Sequence, residues 1–99
     1  MDKLKQTLGL AYRSKSVVLG TDTIVANLRN GKIKLILLST NASFNTQKLV
    51  QDKARFYNCK VLLVQEFDGE ILSQAIKKKN IVVLGISNTG FRKLIMQDR

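Results

Sequence analysis

The stretch VVLGTDTIVANLRNGKIKL, from Val17 to Leu35, decides the fold. It opens on a run of β-branched and aliphatic residues, which favours a strand over 16–19, and Gly20 ends that strand. Apolar residues then recur at helical spacing until an Asn-Gly pair stops the helix, and Asp22 is its predicted N-cap. The run KLILL over 34–38 predicts a buried strand. A strand, a helix and a second strand in this order indicate an α/β fold.

Outside this stretch the same patterns predict four more helices and two more strands. The strands are KVLLV over 60–64 and IVVLGI over 81–86, and the last three helices are expected to begin at Asn45, Asp68 and Asn88. The residues expected to face inward are, helix by helix, Leu4, Leu8 and Ala11; Ile24, Val25 and Leu28; Leu49, Val50, Ala54 and Tyr57, with Phe44 stapled onto Leu49; Ile71, Leu72, Ala75 and Ile76; and Phe91, Leu94 and Ile95. The predicted order is αβαβαβαβα.

Three of the predicted strands are continuous apolar runs rather than alternations of apolar and polar residues. Such strands are buried on both faces, which predicts a sheet that is covered by helices on both sides and is at least partly parallel. The expected fold class is α/β, a three-layer α/β/α sandwich. The chain of 99 residues has no proline, no Gly/Ser-rich linker and no repeat. We therefore expect one domain over residues 1–99.

The charge of the chain points to anionic partners. Seventeen Lys and Arg against seven Asp and Glu give a net charge of +10 and an isoelectric point near 10.1. Nucleic acid is the first candidate partner and an anionic membrane surface the second. No apolar run approaches the roughly 18 residues that cross a bilayer, and the N-terminus does not resemble a secretory signal. One cysteine, Cys59, cannot form an internal disulfide. We expect a cytoplasmic protein with no membrane partner.

Residues that could support catalysis are few. There is no histidine, and Cys59 beside an apolar strand is expected to be a small buried hydrophobic residue rather than a nucleophile. The carboxylates of Glu66, Asp68 and Glu70 cluster, but a helix cap and the helix dipole account for them. The sequence LGTDT lacks the glycines of a dinucleotide fingerprint and the Gly-Lys-Ser/Thr ending of a P-loop. We expect no enzyme activity, no metal and no cofactor.

The segment Gly20 to Asp22 allows two interpretations. In one, these residues only turn the chain and cap the helix. In the other, the free amides at the helix start bind an anion such as a backbone phosphate. Basic residues favour the second interpretation, although surface lysines are often merely solvated, and a lysine run at a helix C-terminus complements the dipole. These basic residues are Lys15, Arg29, Lys34, Lys77, Lys78 and Lys79, and we expect them to surround the same end of the sandwich.

Several segments carry a resemblance to a known family. These are LGLAYRSKSVVLG, LRNGKIKLILLSTNASFNTQKL, YNCKV, IVVLGIS and GFRKL. In their order and spacing they resemble the L7Ae/L30e superfamily of kink-turn RNA-binding proteins, and within it the small bacterial YlxQ branch. The resemblance covers nearly the whole chain. It implies a mixed four-stranded sheet between helices, with RNA held at one end.

The resemblance implies two RNA-binding elements. At the start of the second helix, the family pattern Gly-[Thr/Ala/Glu]-Asn-Glu-x-x-Lys contacts the tandem sheared G·A pairs of a kink-turn. In this chain the pattern falls on 20–26, where Gly20 and Thr21 match, Asp22 replaces Asn, Thr23 replaces Glu and Ala26 replaces Lys. The replaced Glu would accept from guanine amino groups and the replaced Lys would contact RNA, and a bidentate base contact is worth about 1 to 3 kcal/mol of discrimination. We therefore expect attraction to RNA phosphates and RNA shape more than to sequence.

The second element precedes the last strand, where the family pattern Leu-Gly-x-Ala-x-Gly packs against a flipped-out base. Leu72 and Ala75 match this pattern, whereas Ser73 and Lys77 replace its glycines. Together the two elements and the basic residues make up the candidate RNA-binding set. Its members are Lys15, Gly20, Thr21, Asp22, Thr23, Arg29, Lys34, Leu72, Ala75, Lys77, Lys78 and Lys79.

We therefore predict a non-catalytic protein that binds structured RNA, with ribosomal RNA the expected partner, and that acts as a monomer in translation or ribosome assembly. The main alternative is a protein-interaction module of a translation or transcription assembly that uses an apolar helix face and does not bind RNA directly. A third possibility is an enzyme fragment, because some RNA methyltransferases carry a similar small domain before a catalytic domain. No such domain follows in these 99 residues.

Overall fold

The computed structural model describes residues 3–64, 73, 76 and 81–97. Its helices and strands, in chain order, are α1 (Lys3–Arg13), β1 (Val17–Leu19), α2 (Thr21–Arg29), β2 (Leu35–Ser39), α3 (Phe44–Phe56), β3 (Val61–Val64), β4 (Val83–Ile86) and α4 (Thr89–Gln97). The predicted helix beginning at Asp68 lies outside the described residues, together with the expected inward positions Ile71, Leu72 and Ala75. Ile76, the fourth of those positions, is buried as predicted.

The strands form one mixed sheet of four in the order β1-β4-β2-β3. β4 lies in the centre and pairs antiparallel with both β1 and β2. β2 and β3 are parallel, as a crossover through α3 requires. Helices cover both faces of this sheet, so the predicted three-layer α/β/α sandwich is confirmed.

Each face of the sheet has its own hydrophobic core. α1 and α4 cover one face through Leu4, Leu8, Ala11 and Ile95, which pack with Leu35, Leu37, Leu84 and Ile86. α2 and α3 cover the other face through Ile24, Leu28, Val50 and Ala54, which pack with Ile36, Leu38 and Val83. Successive side chains of a strand point to opposite faces, so consecutive residues of β2 enter different cores. This is why the run KLILL shows no alternation.

The start of α3 differs from the prediction. Ser43, not Asn45, is the N-cap, and its hydroxyl accepts a hydrogen bond from the Thr46 amide at 3.2 Å. Phe44 is therefore already the first residue of the helix. It is 78% exposed, and Leu49 is 40% exposed, so the predicted staple between them is wrong. A staple needs its first residue before the cap, and here Phe44 follows it.

The last helix begins as predicted, because the side-chain oxygen of Asn88 accepts a hydrogen bond from the Phe91 amide at 3.1 Å. Ile95 is buried, but the predicted inward position of Leu94 is wrong, since this side chain is 50% exposed. Adjacent helical residues lie about 100° apart around the axis, so a narrow contact stripe that includes Ile95 leaves Leu94 in solvent. Val25 and Tyr57, also predicted to face inward, are half-buried.

Gly85 allows α2 to approach the middle of the sheet. A Cβ atom at this position would lie 3.0 Å from the Ile33 side chain and 3.3 Å from that of Ile24. Both distances are shorter than the roughly 3.5 to 4.0 Å of a relaxed carbon contact. The absence of a side chain at Gly85 therefore lets β4 pack closely against Ile24 of α2 and Ile33 of the following loop.

Candidate nucleic-acid interface

Among the residues that the structure describes, no side chain caps the start of α2. Gly20 is the N-cap, with φ +91° and ψ 129°. The first amides of an α-helix have no partner within the helix, so those of Thr21, Asp22 and Thr23 can bind an outside acceptor. The positive end of the helix dipole adds to their attraction for an anion.

The prediction that Asp22 caps α2 is wrong. The chain already turns at Gly20, so Asp22 is the second residue of the helix and its carboxylate lies in the first turn. In that position it complements the dipole without bonding an amide as a cap does. It also places one negative charge next to the free amides. A phosphate at this site would approach from the side away from Asp22.

The surface beside the helix start is open. Gly20, Asp22, Thr23 and Ala26 are exposed, and Thr21 is half-buried. The Thr23 carbonyl accepts a hydrogen bond from the side-chain amide of Asn27 at 2.8 Å, which braces the first turn from outside. The exposed stripe combines free amides and threonine hydroxyls with one methyl side chain. It can bind phosphate oxygens and hydroxyl groups through several weak donors.

A second helix begins at the same end of the sheet. Leu19 pairs with Leu84, and Leu84 pairs with Leu37, so Gly20 lies level with the C-terminal part of β2. β2 leads through a short turn into α3, whose cap is Ser43. The N-termini of α2 and α3 therefore share one end of the sandwich, and their dipoles add there.

The predicted clustering of Lys15, Arg29 and Lys34 around Gly20 is wrong. Lys34 precedes β2 and its amide donates to the Ile86 carbonyl at 2.6 Å, at the opposite end of the sheet. Lys15 precedes β1 at that same end, which is about 15 Å from Gly20 at the rise of an extended strand. Arg29 is the last residue of α2, about 12 Å along the helix from Thr21. These residues lie on either side of Gly20 in sequence, but the length of β1 separates Lys15 from Gly20 and the length of α2 separates Arg29 from it.

The other predicted members of the set lie outside the described residues. These are Leu72, Ala75, Lys77, Lys78 and Lys79. Ser73, which stands at a glycine of the family pattern, is described and 7% exposed. Its hydroxyl accepts a hydrogen bond from the Ile81 amide at 2.9 Å. The serine thus ties the segment before β4 to the start of that strand.

Cys59 is half-buried between β2 and β3, and its thiol lies 3.6 Å from the Ile33 carbonyl. Burial raises the pKa of this thiol, and the positive charges of Arg92 and Lys34 oppose that rise. A raised pKa keeps the thiol protonated at neutral pH, so Cys59 is a poor nucleophile. Cys59 was predicted to be a small buried side chain and is instead half-buried.

Residues 3–64, 73, 76 and 81–97 form neither a metal site nor a membrane-spanning helix. These residues contain no group of three or more His, Cys, Asp or Glu side chains that could hold a metal ion. None of the helices they form is long and apolar enough to cross a bilayer.

The fold and the helix start together define a class of protein: a small α/β/α sandwich that presents an uncapped helix N-terminus at one end of a mixed sheet. The sequence profile of the Ribosomal protein L7Ae/L30e/S12e/Gadd45 family matches residues 2–95. The chain belongs to this family, as the resemblance predicted.

Individual relatives agree with this assignment. The RNA-binding protein YlxQ of Bacillus subtilis is 39% identical over 89 residues, which are 89% of this chain and 87% of the relative. The RNA-binding protein YlxQ of Enterococcus faecium is 34% identical over 91 residues, or 92% of this chain and 85% of the relative.

Solved structures share the fold. A Bacillus halodurans protein described as having unknown function superposes with a TM-score of 0.89 at 31% identity and covers 98% of this chain and 96% of its own. A Giardia lamblia 15.5kD RNA binding protein superposes with a TM-score of 0.73 over 98% of this chain and 85% of its own. At 10% identity the second likeness concerns the fold alone.

Proposed function

We propose that this protein is a non-catalytic RNA-binding protein that holds structured RNA at the start of α2. Family membership and the names of two YlxQ relatives support RNA as the ligand. Neither name refers to a reaction, which supports a role without catalysis. The observation that carries the site is the uncapped helix start at Gly20, whose amides open onto an exposed surface. In this proposal the amides of the helix start donate hydrogen bonds to phosphate oxygens of the RNA.

The proposed binding mode depends more on RNA shape than on base identity. Thr23 and Ala26 stand where the family pattern has Glu and Lys, and both side chains are exposed. A threonine hydroxyl and a methyl group cannot replace a carboxylate that accepts from guanine amino groups or a cation that contacts phosphate. The protein should therefore bind a kink-turn with only weak dependence on its G·A pairs.

A titration against a kink-turn oligonucleotide, with and without its tandem G·A pairs, tests this binding mode. We expect the two RNAs to bind within about threefold of each other, because no bidentate base contact remains to separate them. If about four phosphates are neutralised, the logarithm of the association constant should fall against log salt with a slope near −3 to −4. Replacing Lys77, Lys78 and Lys79 by Gln should make this slope shallower. Absence of binding to folded RNA would refute the proposal.

A designed gain of specificity provides a sharper test. The double variant Thr23→Glu with Ala26→Lys restores the family's charged pair at two exposed positions without changing net charge. We expect it to prefer the RNA with G·A pairs by about tenfold or more. The matched control is Thr89→Glu with Gln97→Lys, an equal exchange at exposed positions of α4. Equal behaviour of the two double variants would show that RNA does not sit on α2.

The finer parts of the proposal follow from size and charge. We propose that residues 1–99 act as one RNA-binding unit, that the protein is a monomer in the cytoplasm, and that ribosomal RNA is its main target. Crosslinking to RNA in cells followed by sequencing would identify the target. Recovery of mainly non-ribosomal RNA would refute the last point.

The alternative of a protein-interaction module has one observation in its favour. Phe44 and Leu49 are exposed on α3, near the end of the sandwich that carries Gly20. A protein partner that packs on this helix would bury them. Such a partner would remain bound in a pull-down after nuclease treatment, whereas a partner bridged by RNA would be lost.

A further inference from the structure

A second concave surface lies at the end of the sandwich opposite Gly20. Two adjoining cavities of about 590 and 310 Å³ share Ala54, Arg55, Cys59 and Lys60 as lining residues. They form one groove between the end of α3, the starts of β2 and β3, and the first turn of α4. We call this the basic groove, and its functional side chains are Lys34, Arg55, Tyr57, Cys59, Lys60 and Arg92.

Among the described residues, the lining of the basic groove contains cations and no carboxylate. Its cations are Lys34 just before β2, Arg55 in α3, Lys60 just before β3 and Arg92 in α4. Among the described residues the carboxylates are those of Asp22 and Asp52, and neither lines the groove. Asp52 is paired with Lys48 at 3.0 Å. Convergent cations with no carboxylate among them favour an anionic ligand.

An exposed aromatic ring contacts a residue that lines the groove. Phe56 is 77% exposed, and its ring meets the ring of Tyr57 edge to face, with centroids 4.9 Å apart and an interplanar angle of 88°. Tyr57 itself lines the groove. This contact restricts the orientation of the Phe56 ring, and most of the side chain stays exposed. A positive groove close to an exposed aromatic ring is a combination that binds unpaired nucleotides.

We propose that the basic groove binds single-stranded RNA, with phosphates on its cations and an unpaired base stacked on Phe56. A cavity of about 590 Å³ lies in the size range of small-ligand pockets and is large enough for nucleotide groups of a single strand. The identification of the anionic ligand as RNA rests on the proposed function. The basic groove itself is a different surface from the RNA site at the start of α2. One molecule could then hold a folded RNA element at one end and an unpaired strand at the other.

The test is fluorescence anisotropy of the full chain with a labelled oligouridylate of about eight nucleotides, the site size of a small single-strand binder. The triple variant Lys34→Gln, Arg55→Gln, Lys60→Gln removes three groove cations. Each lost phosphate contact should reduce the salt slope by about 0.7, so affinity should fall about 100-fold at 0.1 M salt. Phe56→Ala should weaken binding by about tenfold through loss of stacking.

The chain offers a matched control for each change. Arg13→Gln, Lys53→Gln, Lys93→Gln removes equal charge from exposed residues that do not line the groove, and screening should limit its loss to about threefold. Phe44→Ala removes a ring of equal exposure, 78%, from the far end of the same helix, and should leave oligouridylate affinity unchanged.

Three outcomes would overturn the groove proposal. They are no oligouridylate binding by the unaltered protein, equal losses in the two triple variants, and equal losses for Phe44→Ala and Phe56→Ala. A protein partner that survives nuclease but is lost with Phe56→Ala would also replace RNA as the occupant. Failure of the α2 site is distinguishable, because it would abolish binding of folded RNA while leaving the oligouridylate result intact.

Discussion

Replacing Gly20 by alanine is the change that most directly tests the geometry of the α2 site. Gly20 has φ +91° and ψ 129°, which lies outside the left-handed helical region where other residues occasionally occur. An added Cβ would meet its nearest atom, the Thr23 hydroxyl oxygen, at 3.7 Å, an ordinary contact. The cost of Gly20→Ala is therefore due to the backbone and not to a clash.

The magnitude follows from two opposing effects. Holding alanine at this φ and ψ costs about 2 to 3 kcal/mol. Loss of flexibility in the unfolded chain returns about 0.4 to 1 kcal/mol. The net loss in the free energy of unfolding should be about 1 to 2.5 kcal/mol, which lowers Tm by roughly 10 °C in a domain of this size.

Urea unfolding followed by far-ultraviolet circular dichroism measures this loss directly. Gly31→Ala is a useful comparison, because Gly31 has φ +70° and no atom within 4 Å of an added Cβ. If Gly31→Ala lowers the free energy of unfolding by about 1 kcal/mol, any larger loss for Gly20→Ala is due to the unusual backbone conformation at Gly20. An unchanged midpoint for Gly20→Ala would refute the strain argument. If the variant instead relaxes by moving the turn, stability should recover while affinity for folded RNA falls, because the amides of α2 are no longer aimed together.

Three further predictions concern packing, capping and the thiol. Gly85→Ala should destabilise the fold by about 1 to 2 kcal/mol, since its Cβ would crowd α2 and the loop above it; a gain in the urea midpoint would contradict this. Ser43→Ala should cost about 1 kcal/mol, and Ser43→Asp should restore most of it, because a carboxylate also caps the amide of Thr46. Cys59 should react with iodoacetamide more slowly in the folded protein than in the urea-unfolded chain at the same pH, because its pKa is raised, and Arg92→Gln should slow it further by removing an opposing charge. Because the pKa of the thiol is raised by folding, the folded protein keeps the thiol proton to a higher pH than the unfolded chain does. The free energy of unfolding should therefore fall as pH rises above the ordinary thiol pKa. A urea midpoint that increases in this pH range would contradict the prediction.

Much of the fold was predictable because it depends on local patterns. The strands over 16–19 and 34–38 and the stop at Asn30-Gly31 follow from the run of apolar residues and from glycine, and the structure confirms them. The cap of α4 at Asn88 was predictable for the same reason. The caps of α2 and α3 were not, because Asp22 and Asn45 are as suitable chemically as Gly20 and Ser43, and the path of the preceding turn selects between them.

By itself the sequence determined the order of the described helices and strands, most of their buried positions, the excess of positive charge and the family to which the chain belongs. Only the tertiary structure decided which charges act together. Lys34, the neighbouring Arg55 and Lys60, and Arg92 come from three separate parts of the chain and meet in one groove. Lys15 and Gly20, five residues apart, instead lie at opposite ends of the sheet. The physical reason is that a strand extends about 3.3 Å per residue, so short separations in sequence become long distances in space. Strand pairing and helix packing then bring remote segments together.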